Sequence, residues 1–296
     1  MRVLSGTSII IVLVLSMISL SSAQTTRIFY CPAPESKDDS RFNYAIELLD
    51  LALNKTVSSG RSFKLAPAVN MNVGRAIDYL KRGDEETVNV IWTTTSKERE
   101  MLMLPIRIPI RKGLLGYRIF LIKKQDKNKF ASIKNIEELK KLKVGQGHIW
   151  NDVKIFQANG FRLVKGSSYE GLFEMLCRGR FDYFSRGINE APNEYEARKV
   201  KLPNLRVEET ILLYYPWPKY FFTSKKNPAL AKQIELGLEK MIQDGSFDKH
   251  FIKYHHDDIR KANLQKRKIF ILSNPLLPST APLDKKELWF DPFATE

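Results

Sequence analysis

Val88-Asn89-Val90-Ile91-Trp92, running through Thr93-Thr94-Thr95 into Ser96-Lys97-Glu98-Arg99 and then Pro105-Ile106-Arg107-Ile108-Pro109, decides the reading of this 296-residue chain. The apolar run predicts a buried strand from Val88 to Trp92. Hydroxyls and the Arg99 guanidinium then fall just past its carboxyl end, where open α/β sheets bind ligands. A hydroxyl beside a guanidinium makes a carboxylate-sized anion receptor. Ser96 and Arg99 are the first candidate ligand-binding residues.

Working outward, strands and helices alternate. A short strand at Arg27 to Tyr30 precedes a helix over Phe42 to Leu53, where Ala45, Leu48, Leu49, Ala52 and Leu53 recur at helical spacing. Asn72 caps a second helix that Gly83 stops. After Gly113 a fresh series begins, with strands at Tyr117 to Ile122, Lys143 to Gly145, Phe161 to Val164 and Phe181 to Ser185. The helices between them span Ile136 to Leu142, Asn151 to Asn159, and a segment opened by the capping box Ser167-Ser168-Tyr169-Glu170. This alternation predicts an α/β fold with a mostly parallel sheet. Asn227-Pro228-Ala229-Leu230 opens a later helix that Asp244-Gly245 ends, with Phe247, Phe251 and Tyr254 on a short turn beyond it.

At the amino end, Arg2, the apolar stretch Ile9 to Ile18 and Ser21-Ser22-Ala23 read as a secretory signal cut after Ala23. The apolar core is shorter than the roughly 20 residues a membrane span needs. A soluble periplasmic protein of a Gram-negative bacterium is the expectation, as a monomer. The net charge of +15 comes from dispersed Lys and Arg with no nucleic-acid-binding motif, so anionic solutes or surfaces are the expected partners and nucleic acid is not. Cys31 and Cys177, far apart in sequence, read as separate thiols. No cofactor motif and no metal set is read; adjacent residues of His255-His256-Asp257-Asp258 point different ways.

Ser96-Lys97-Glu98-Arg99 resembles the Thr/Ser-x-Glu-Arg signature of the type II periplasmic solute-binding proteins of the polar amino-acid class. Leu176 to Asp182 resembles their second-lobe helix-to-strand junction, and Asn227 to Tyr254 their penultimate helices. The resemblance spans about residues 25 to 255. It implies two α/β lobes around a cleft: lobe 1 over 24–113, lobe 2 over 114–217, and a return to lobe 1 over 218–296. The tail beyond residue 255 reads as an extra strand and wrap over lobe 1. The resemblance also implies that Ser96 and Arg99 hold a ligand's α-carboxylate while the lobes close on it, for an ABC permease or a sensor.

The chain departs from that pattern in lobe 2. Gly187 stands where relatives carry an ammonium-binding Asp, with Arg186 beside it, and Gly145-Gln146-Gly147-His148-Ile149-Trp150 replaces their Gly-Ser/Thr helix start. A cationic second lobe favours an anionic ligand over a zwitterion. Tyr30, Arg41, Trp92, His148, Trp150 and Arg186 complete the candidate ligand-binding set. An enzyme on the same fold, a cyclic-acid dehydratase or a peptidoglycan-cleaving protein, is the alternative. Glu35, Glu190 and His148 are its only candidate acids or bases, and no nucleophile motif accompanies them.

Overall fold

Helical spacing of apolar residues, caps and strand-length apolar runs set the elements in a computed structural model that describes residues 25–32, 42–57, 61–69 and 71–294. The signal reading, Glu35 and Arg41 lie outside the described residues. β1 (Thr25–Cys31) and β2 (Arg61–Pro67) pair in parallel. Between them α1 (Asn43–Asn54) buries Tyr44, Ala45, Leu48, Leu49, Ala52 and Leu53 on one stripe. α2 (Val73–Arg82) starts where the Asn72 side chain accepts from Arg75 N–H and stops at Gly83, whose φ of 76° only glycine adopts cheaply.

β3 (Val90–Thr94), α3 (Lys97–Leu102) and β4 (Leu104–Ile106) follow. β11 (Lys219–Thr223), from far along the chain, lies between β3 and β4 and is antiparallel to both. α9 (Pro228–Gln243) and α10 (Ser246–Ala262) close this lobe, with Leu230, Ile234, Leu238 and Phe247 in the core of α1. The turn expected around Phe247 is thus a 17-residue helix.

Residues 107–116 carry the chain to a second sheet and 215–218 bring it back. That sheet holds β5 (Tyr117–Lys123), β6 (Lys143–Gly147), β7 (Arg162–Gly166), β8 (Tyr183–Gly187), β9 (Leu205–Val207), β10 (Ile211–Tyr214) and β12 (Lys268–Ile271). Its order is β12-β10-β5-β8-β6-β7, with β9 also on β5. α4 (Lys127–Ala131), α5 (Ile136–Lys140), α6 (Asp152–Ala158), α7 (Tyr169–Cys177) and α8 (Ala191–Arg198) connect the strands. Separate apolar cores lie around Phe173 and Phe184 and around Phe120 and Phe156.

Three sequence expectations change. The large sheet is mixed, because β5 brings the chain in and β10 takes it out, so the two lie side by side in opposite senses, and the sheet of β3, β11 and β4 is antiparallel. The helix of the expected capping box is capped by Ser168, which accepts from Gly171 N–H, while Glu170 turns to Arg198. The tail strand β12 pairs with β10 of the second sheet and not with lobe 1, because Arg267 just before it is buried against Glu208 and the Ile211 carbonyl. Cys31 and Cys177 are unpaired thiols, the former buried and pushed up to about 12 by desolvation. No helix among the described residues is long and apolar enough to cross a membrane.

The tightest helix contact is at Gly237 of α9, where a Cβ would lie 2.0 Å from the Ala52 carbonyl oxygen of α1. Gly237→Ala is expected to cost about 1–3 kcal/mol, because overpacking against backbone outweighs the helix-propensity gain. Urea unfolding of the two proteins measures it.

Candidate ligand cleft

The hydroxyl run after β3 organises the arginine of lobe 1. Ser96 is the cap of α3, its Oγ accepting from Arg99 N–H at 3.2 Å. The Arg99 guanidinium folds back, with Nη1 donating to the Thr94 carbonyl at 2.6 Å and to Thr94 Oγ1 at 2.7 Å. Nη2 and Nε remain available, and burial lowers the pKa of this half-buried side chain. Ser96 and Arg99 line a recess of about 210 Å³ with Asn151 and Lys154 of the other lobe and Pro275 and Leu276 of the tail.

Two cations that the sequence reading did not single out stand at the same end of the sheet. Lys219, the first residue of β11, pairs in register with Thr94, the residue that holds Arg99. Arg111 follows Ile110, whose N–H donates to the Lys219 carbonyl at 2.9 Å. The Arg111 guanidinium lies 5.2 Å from the centre of the Tyr44 ring, and its buried Nε has no hydrogen-bond partner. Among the described residues, nothing accepts a hydrogen bond from the half-buried Lys219 ammonium. Desolvation first, then Arg111 and Arg99, push Lys219 down to about 7 against the pull of Glu190. Lys219 directly follows Pro218 and Arg111 lies two residues after Pro109, both at the crossings, and that placement was the signal available in the sequence.

Lobe 2 supplies Glu190. Its Oε2 accepts from Gly187 N–H at 2.8 Å and lies 3.3 Å from Arg186 Nη2 and 3.8 Å from Arg118 Nη1. Burial alone would raise this carboxyl, but Arg186, Arg118, the Gly187 N–H and Lys219 together bring it down to about 2. It is ionised at neutral pH and is no proton donor there.

Arg186 is not the free cleft cation the sequence reading made it. Its Nε and Nη2 donate to Glu194 at 2.6–2.9 Å, Tyr169 Oη donates to the same carboxylate at 2.6 Å, and the guanidinium packs 4.8 Å from the Trp150 ring centre. A buried charge needs such pairing, and the ion pairs closed over it. Arg118, buried beside it, donates to Asp152 at 2.9 Å, where Tyr215 Oη also donates at 2.6 Å. Asp152 opens α6, so the helix start meets a carboxylate of the chain itself.

The remaining candidates scatter. Trp150 stacks on Phe184, with ring centres 6.0 Å apart, and so serves the Arg186 cluster. His148 is exposed, with backbone N–H and Nδ1 both turned to the Gly166 carbonyl. Trp92 packs edge-on against Phe221 and Phe42, and lines an apolar recess of about 310 Å³ instead of the Arg99 recess. Tyr30 is half-buried on the core of lobe 1, its N–H donating to Asn89 Oδ1. Among the described residues no three His, Cys, Asp or Glu side chains gather as a metal set.

No protein-family model and no curated protein matches the sequence. Solved structures do. The probable amino-acid ABC transporter extracellular-binding protein ytmK from Bacillus subtilis is 19% identical, with a TM-score of 0.57 over 79% of this chain and 99% of that one. The fold is that of the type II periplasmic solute-binding proteins. An ancestral arginine-binding protein bound to arginine is 21% identical at a TM-score of 0.50, over 78% of this chain and 99% of that one. A putative binding component of an ABC transporter from Wolinella succinogenes, complexed with lysine, is 18% identical at a TM-score of 0.51, over 77% and 94%. At these identities the likeness is one of fold.

Removing one partner of the buried lobe 2 network is expected to be severe. Arg186→Met strands the Glu194 carboxylate, at a cost of about 3–5 kcal/mol. Thermal melting of the variant measures it, and a loss below about 1 kcal/mol would show that water reaches Glu194.

Proposed function

We propose that this protein captures a small anionic solute by closing its two lobes on it. The observation that supports this reading is the charge around Lys219: Arg99 and Arg111 act on it and, among the described residues, neither makes an ion pair, with Glu98 acting on Arg99 and Glu190 and Asp258 on Arg111 only at longer range, while the one carboxylate acting on Lys219, Glu190, is already shared by Arg186 and Arg118. A negative ligand group supplies what this cluster lacks. Lys219 itself faces Glu190, the place an ammonium of a bound amino acid would need. The related folds bound to arginine and lysine therefore take cationic amino acids that this cleft would repel.

Binding fits these side chains better than catalysis does. Glu190 is held ionised, and His148 is turned to a backbone carbonyl. In this reading the chain is exported by its amino-terminal signal, works as a periplasmic monomer, and hands its solute to an ABC permease or a sensor. Lobe 1 holds the ligand's carboxylate through Arg99 and Arg111, and the two crossings act as the hinge.

The test is a thermal-shift series of succinate and other diacids beside arginine, lysine and glutamine, since a ligand that binds only the native state raises its melting temperature. Diacids are expected to stabilise the protein and basic amino acids are not; the reverse result overturns the reading. Arg99→Ala or Arg111→Ala is expected to cost roughly 2–5 kcal/mol of binding, about 30-fold to several thousandfold in Kd.

The pH dependence follows from Lys219. With Arg111, Arg99 and Glu190 around it, it is charged below about 7 and neutral above. An anion prefers the charged form, so diacid affinity is expected to fall as pH rises through about 7, by up to tenfold per unit, and to become flat in Lys219→Gln. Calorimetry between pH 6 and 9 reads it.

A further inference from the structure

We propose that Lys219 is a reversible covalent anchor: its Nζ condenses with the carbonyl carbon of an oxo acid whose carboxylate lies against Arg99 and Arg111. This rests on the preceding reading of the cleft as an anion site and narrows its ligand to acids that carry a ketone or aldehyde.

The cluster has the parts such an anchor needs. Arg99 is held on Thr94 through Nη1 alone, so Nε and Nη2 can grip a carboxylate without losing their support. Arg111 has a buried Nε without a partner and lies across the Tyr44 ring. The backbone brings Lys219 to both, through its register with Thr94 and the Ile110 bond. Its amine is the one group in this trio that attacks a carbonyl, and a half-buried lysine beside two other cations is the nucleophilic kind. Several other lysines are tied up as ammonium groups: Lys112 on Asp248, Lys225 on the Met101 carbonyl, Lys226 on the Arg82 carbonyl. Lys199 and Lys232 are pushed up by Glu196 and Glu235, whereas Lys219 is pushed down to about 7.

The step balances without a co-reactant. The Nζ lone pair forms a C–N bond as the carbonyl π electrons move to oxygen, which takes a proton from solvent while the amine gives one up. The carbinolamine hydroxyl then takes a proton from solvent and leaves as water as the nitrogen lone pair closes the C=N bond. The resulting iminium is cationic and faces the ionised Glu190, which serves as its counter-ion. Water reverses the sequence and releases the oxo acid unchanged, so the step retains a solute without converting it.

The experiment incubates the full protein with 2-oxoglutarate or pyruvate and cyanoborohydride, which reduces an imine to a stable amine, followed by intact mass and peptide mapping. One adduct at Lys219, suppressed by excess succinate and absent in Lys219→Arg, is the expected result. Its yield should rise with pH through about 7, while succinate affinity falls over the same range. Stabilisation by 2-oxoglutarate without an adduct, or adducts spread over surface lysines, overturns the covalent anchor and leaves the anion site standing. If neither succinate nor 2-oxoglutarate stabilises the protein and no adduct forms, both readings fall together.

Discussion

Strand β11 lies between β3 and β4, and the cleft depends on that insertion. Its side chains alternate between two cores: Phe221 packs with α1 and α9, while Tyr220 and Phe222 pack with α2 and Met103. Each buried aromatic of this size stabilises by roughly 1.5–3 kcal/mol relative to exposure. Because strand side chains repeat every two residues, a one-residue slip would drive all three to the wrong face and carry Lys219 with them. The apolar pattern of Tyr220-Phe221-Phe222 therefore holds the position of a lysine that contributes nothing to the core. The same register sets Lys219 opposite Thr94, and Thr94 orients Arg99, so one strand pairing places two of the three lobe 1 cations.

The two lobes treat charge in opposite ways. In lobe 2, Arg118 and Arg186 are nearly out of water, and each has a buried carboxylate within 2.9 Å. Desolvation of such ions costs several kcal/mol each, and only good geometry offsets it. That network pairs every charge in it, although Arg118 Nε is buried without a hydrogen-bond partner. At the crossings, Arg111 and Lys219 keep partial exposure and, among the described residues, make no close ion pair, Glu190 and Asp258 acting only at longer range, so they hold charge that a ligand can meet. Glu190 joins the two systems, being fixed by the arginines of lobe 2 and acting on Lys219 from across the cleft.

What was legible in the sequence follows from this division. Local signals located elements well: Asn72 and Gly83 delimit α2, and the strand expected over Val88 to Trp92 is β3, set two residues later at Val90–Thr94, with the α3 turn of Ser96 to Arg99 following it. Arg99 itself sits in a recess shared by both lobes. Arg186 was misread because its partner Glu194 lies eight residues on, across a turn and into α8, and no short pattern announces that pairing. Arg111 and Lys219 were overlooked for a related reason. They are 108 positions apart in a strongly basic chain, and only the return of β11 to lobe 1 makes them neighbours. Mixed strand direction was hidden too, since alternation of strands and helices does not record the sense in which a returning strand pairs.

The tail adds a constraint that spans both lobes. After β12, Ser273 is bonded three times to Asn159 at the end of α6, and Asn274 donates to the Pro216 carbonyl in the return crossing. Two residues later the Leu276 carbonyl accepts from Lys97 N–H, and Thr280 donates to Glu100, both on α3 of lobe 1. The chain then comes back to the first crossing, where Trp289 covers Gly113, Phe290 N–H donates to the Lys112 carbonyl, and Tyr117 Oη donates to the Phe290 carbonyl. Both lobes and both crossings are thus tied by one segment, and Leu276 lines the recess of Arg99. In the lobe closure proposed above, a rotation that separated Asn159 from Lys97 would have to break the bonds at Leu276 and Thr280 or stretch the short link from Ser273. Each such bond is worth only about 1 kcal/mol in water, and together they hold the tail across both lobes and both crossings, beside the recess of Arg99.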